Sequence, residues 1–71
     1  MYEVKLTYNP EPYTQTLKES ITYCATVDLF LRGIESYQLS ATRIAFESDR
    51  DRMLAMIYLS ESSSFTPIIP A

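Results

Sequence analysis

The sequence predicts a small α+β fold: a single-layer antiparallel sheet of strand-helix-strand-strand order packed on one helix, with an extended C-terminal tail. Three observations lead there. The first eight residues alternate between apolar and polar, a segment near residues 17–34 repeats apolar groups at helical spacing, and 71 residues leave room for one thin core only. The domain is expected to span 1–61 and the Ser/Pro-containing tail 62–71.

Tyr2, Val4, Leu6 and Tyr8 alternate with Glu3, Lys5 and Thr7, the period-2 pattern of a strand with one buried face. Asn9-Pro10-Glu11-Pro12 should end it, because each proline lacks an amide donor and biases its predecessor toward extended geometry. A loop is expected to about Gln15. Thr16-Leu17-Lys18-Glu19 has capping-box form and predicts a helix beginning at Leu17. Tyr23, Cys24, Val27, Phe30, Leu31 and Ile34 fall on one side of that helix and are read as its core face. Thr22, Thr26, Asp28, Arg32 and Glu35 then face solvent, with Ile21 and Leu29 as apolar exceptions. On this reading Val27→Asp or Leu31→Asp unfolds the domain and Thr26→Asp is tolerated. Gly33 suits the left-handed position that ends a helix after Arg32.

Between Tyr37 and Glu47, the alternation of Thr42, Ile44 and Phe46 with Ala41, Arg43 and Ala45 predicts a strand. Ser48-Asp49-Arg50-Asp51 reads as a turn, and Met53–Leu59 as the strand that pairs back; a helix over 53–59 is the alternative. Phe65-Thr66-Pro67-Ile68-Ile69-Pro70 should be extended.

Composition removes several kinds of chemistry. The chain has no histidine, so Ser-His and Cys-His nucleophile pairs cannot be built, and its single cysteine leaves no intrachain disulfide and no zinc set. Gly33 is the only glycine, and both the dinucleotide fingerprint and the phosphate-cradling loop need several. Cys24 is expected to be buried as a small hydrophobe. Asp49 and Asp51 form the one close carboxylate pair in a predicted turn, but Arg50 and Arg52 interleave with them and would repel a cation. No catalytic residue, cofactor or metal is therefore expected. No apolar run approaches a membrane span, and the lone cysteine suits a reducing compartment; a soluble, cytoplasmic chain without membrane association is expected.

The net charge of −3 opposes the counterion release that drives binding to nucleic acid. What remains is an excess of apolar surface. As a strand, 53–59 is apolar at both parities, so one helix cannot cover both its faces. The expected function is that of a non-enzymatic protein-binding module working as a homodimer, with Leu54, Met56, Tyr58, Phe65, Ile68 and Ile69 as the partner-binding residues. The alternative is a single-stranded nucleic-acid-binding domain using a 37–58 hairpin, with Arg43, Arg50 and Arg52 beside Tyr37, Phe46 and Tyr58. In length, acidity and element order the chain is similar to the small inhibitors that phages direct against host defence or transcription proteins, which implies action by occupying a partner's surface.

Overall fold

The computed structural model describes residues 1–8 and 13–70, so the expected strand stop at Asn9-Pro10-Glu11-Pro12 and the last tail residue, Ala71, lie outside the described residues. The elements follow the order β1 (Tyr2–Tyr8), α1 (Gln15–Leu31), β2 (Tyr37–Gln38), β3 (Arg43–Phe46), α2 (Asp49–Leu59) and β4 (Phe65–Ile68). The class is α+β, as the sequence predicts. The strands form one antiparallel sheet in the order β2-β3-β1-β4. This is the split β-α-β, or ferredoxin-like, arrangement, which hosts many unrelated functions.

Strand β1 is central because its alternation works on both sides of its backbone ladder. Val4 pairs with Ile44 of β3, while Leu6 and Tyr8 pair with Pro67 and Phe65 of β4. Val4, Leu6, Tyr8, Ile44 and Phe65 point to the helical face and form the core with Phe46, Leu29, Ile34, Ala55 and Leu59. Glu3, Lys5 and Thr7 point to the opposite, open face. Proline 67 is tolerated because β4 is an edge strand.

Four expectations need correcting. The segment 53–59 is helical, not a strand. Ser48 takes the N-cap position, its hydroxyl accepting from the Asp51 amide at 3.1 Å, and Asp49 and Asp51 place negative charge in the first turn, where the helix dipole favours it. The predicted turn at 48–51 is therefore a helix start. The predicted strand over 37–47 is two strands joined by a turn, with Leu39 donating its amide to the Arg43 carbonyl at 2.9 Å. Helix α1 begins at Gln15, two residues before the expected start, because Thr14 rather than Thr16 caps it by accepting from the Leu17 amide at 3.1 Å.

The fourth correction concerns which face of α1 is inside. Thr22 and Leu29, read as solvent-facing, are fully buried, and Ile21 and Ala25 pack against the core beside them. Of the six residues read as the core face, only Ile34 is buried; Tyr23, Cys24, Val27, Phe30 and Leu31 are exposed. Cys24 is thus a surface thiol, contrary to the burial expected of it. The C-terminus of α1 does end as predicted, with Gly33 at φ +84°. Gly33 donates to the Phe30 carbonyl and Ile34 to that of Leu29, the Schellman pattern, and the Leu29 and Ile34 side chains both enter the core.

Candidate docking surface

Helix α1 rotates about 100° per residue, which places Leu29 and Thr22 at the centre of the inner face and Val27, Ser20, Leu31 and Cys24 opposite them. Phe30, Tyr23, Val27, Leu31, Cys24 and Leu17 together span an outer arc of about 140° in that geometry. The only other side chains in the arc are Thr16 and Ser20, so it carries no charge. Glu19 bounds it on one flank and Asp28 on the other, where Asp28 accepts from Arg32 at 3.3 Å. A globular surface helix normally shows the reverse distribution, with its charged residues turned to solvent.

The exposure is substantial. Leu31 is 78 % exposed, Phe30 66 % and Tyr23 61 %. Fully burying a side chain of this kind contributes about 1.5–3 kcal/mol, a gain the isolated chain forgoes several times over. Two hollows flank the surface, one toward the β2–β3 turn and one toward the loop that follows α1. The first, of about 680 Å³, lies between α1 and the turn and is lined by Glu19, Tyr23, Cys24, Gln38, Leu39 and Ala41. The second lies beside Val27 and Phe30 and includes Glu35 and Ser36, the buried hydroxyl of Ser36 having no hydrogen-bond partner among the described residues.

The six residues expected to bind a partner are not gathered into one face. Leu54, Met56 and Tyr58 are half-buried on α2 and pack against the core, and Phe65 is buried on β4. The Tyr58 ring also lies under the Arg32 guanidinium, 4.4 Å from its centroid. Ile68 and Ile69 are exposed, Ile68 on the open side of the sheet. The premise of a two-sided strand falls with the helical assignment of 53–59. The exposed α1 face is not among the residues expected to bind a partner, because an apolar helical stripe ordinarily marks a core; its signal in the sequence is the charge-free arc.

The hairpin invoked for single-stranded nucleic acid is not present, since 37–58 comprises β2, β3 and most of α2. Arg43 donates to Glu3 at 3.4 Å, and Arg52 pairs with Asp49 while stacking on the Tyr2 ring. Tyr37 has carboxylates for neighbours: Glu47 foremost, then slight burial and Glu35, push its hydroxyl pKa upward. Asp49 and Asp51 serve the start of α2, and no group of metal-ligating side chains is found among the described residues. No described helix is long and apolar enough to cross a membrane.

No family model matches the chain, and neither a curated protein nor a solved structure matches it significantly.

Proposed function

We propose that this chain is a non-enzymatic protein-binding module, of the inhibitor or adaptor kind, that works by laying a fixed apolar surface against another polypeptide. The observation that carries this reading is the outer face of α1, where Tyr23, Val27, Phe30 and Leu31 stand in water with no charge among them. Apolar side chains scattered singly over a surface need no explanation; a contiguous patch rimmed by polar groups marks a contact site. Tyr23 and Phe30, side by side on one flank of this patch, are of the residue class enriched as anchors of protein interfaces. The helix face is also rigid, held from behind by buried Thr22 and Leu29, so little ordering cost opposes docking.

Chemical cross-linking of the tagged chain in the cells that make it tests the reading. The expected product contains a second polypeptide and is lost when Tyr23 and Phe30 are both changed to Glu, while Ile57→Glu on the exposed side of α2 leaves it unchanged. A chain that yields no adduct, or one indifferent to the α1 substitutions, would sink the proposal.

A further inference from the structure

We infer that the occupant of the α1 surface is a second copy of this chain, with the two α1 helices packed antiparallel about a two-fold axis passing close to Val27. The inference rests on the docking reading above and adds to it the identity and geometry of the partner.

The first support is reciprocity. A two-fold interface brings one patch against itself, so whatever residue i meets at j must be returned. Tyr23 and Phe30 lie on the same flank of the outer face and are spaced evenly about a point between Thr26 and Val27. An axis there sets Tyr23 of each copy against Phe30 of the other, the offset aromatic pairing that contributes beyond area alone. Val27 then meets its own counterpart. Within the stretch where the two helices overlap, Cys24, Val27 and Leu31 follow one another at steps of three and four, the spacing of a helix-helix seam.

Charge supplies the second support. Each copy carries a net charge of −3, and a self-contact succeeds only where like charges are kept apart. The outer arc of α1 itself contains none; Glu19 and Glu35 stand at its rim, where they line the two hollows. Asp28, at its edge, has its own cation in Arg32. A foreign partner selected by electrostatics would need a charged patch to read, and this face offers nothing of the kind.

Area is the third. With aromatic side chains offering about 150–250 Å² each, two of them nearly two-thirds exposed, together with Val27, Leu31 and Cys24, amount to about 500 Å² per copy. Doubled, that reaches the roughly 1,000 Å² that a specific interface should exceed, before the rim at Leu39 and the helix backbone are counted. The pairing leaves both open sheet faces, with Ile68 on each, turned away from the contact.

Sedimentation equilibrium of the full chain, up to a concentration on the order of 100 µM, tests the inference. The expected result is a mass of two chains at the upper end and an association weakened at least about 100-fold by Tyr23→Glu with Phe30→Glu. Circular dichroism should show the variant folded, and Leu31→Glu serves as a second, independent disruption should it not be. Ile57→Glu should leave the equilibrium untouched. A single-chain mass throughout, or a dimer that ignores every α1 substitution, overturns the inference. If the chain is monomeric yet its α1 variants still lose a cross-linked foreign protein, the second copy is refuted and the docking reading stands; loss of neither refutes both.

Discussion

The hydroxyls of Tyr8 and Thr22 lie 2.6 Å apart in the core, and the proton count decides which of them donates. Thr22 has one hydroxyl proton and gives it to the Ala41 carbonyl, also at 2.6 Å. Tyr8 is therefore the donor to Thr22, with the Lys18 carbonyl at 3.1 Å within reach of the same proton. One threonine thus ties β1 to α1 and to the β2–β3 turn, which explains a buried polar residue at the centre of a helix whose other face is apolar.

Thr22→Val keeps the shape and removes the bridge. The Ala41 carbonyl loses its donor and the Tyr8 hydroxyl falls back on Lys18, so a loss of about 1–3 kcal/mol is expected. Thr22→Ser, which keeps the hydroxyl, should cost less. Urea unfolding of the two variants checks this, and a Thr22→Ser loss as large as that of Thr22→Val would mean that the methyl group contributes as much as the bridge.

The inverted helix face makes a sharper prediction. Leu29→Asp buries an unpaired carboxylate and should unfold the domain, whereas Val27→Asp and Leu31→Asp should leave a folded chain. This reverses the outcome expected from the apolar stripe. Thermal unfolding is measured on dilute protein, so that self-association does not add its own stability.

Much of the fold was legible residue by residue. The alternation from Tyr2 to Tyr8 marks β1, and Gly33 with Ile34 marks the end of α1. The start of α2 was legible too: Ser48 followed three residues later by Asp51 is a capping signature, but the apolar run 53–59 outweighed it. The β2–β3 turn was not, because Leu39-Ser40-Ala41-Thr42 contains none of the glycine, proline or asparagine that usually announces a turn. The apolar stripe of α1 is visible as a pattern, but its side is not. Periodicity reports that a helix has an apolar face; it does not say whether the chain itself or another polypeptide covers it.

Capping offers a local test at both ends of the helices. Ser48→Ala removes the acceptor for the Asp51 amide and should cost about 1 kcal/mol. Gly33→Ala meets open space but must hold φ at +84°, so a similar loss of about 1 kcal/mol is expected from backbone strain, and Gly33→Asn should be milder. Denaturant midpoints at constant slope would report both.

Stability should fall in alkali through Tyr8. Burial raises its pKa above the ordinary tyrosine value of about 10, and Tyr13 adds a smaller upward push. Because the folded value lies above the unfolded one, the contribution is complete below about pH 10 and is lost as pH rises through the folded value. Tyr37 shifts in the same direction at the surface. The urea midpoint of the native chain should therefore drop more steeply above pH 10 than that of Tyr8→Phe, and parallel curves would remove Tyr8 as the cause.

Cys24 provides a footprint of the α1 surface in the unmodified chain. Its thiol is exposed on the outer arc beside Leu31, one turn from the inferred axis. In a lone chain nothing shields it, and a small disulfide reagent should react at the rate of an open surface thiol. In the antiparallel pair the same atom is covered by the second helix, so the observed rate should fall as protein concentration rises through the dimer midpoint. The variant with Tyr23→Glu and Phe30→Glu should react at the fast rate at every concentration. That contrast separates cover by a second copy from local crowding, which would slow the thiol equally at all dilutions. A rate independent of concentration in the native chain would place the contact elsewhere on the molecule.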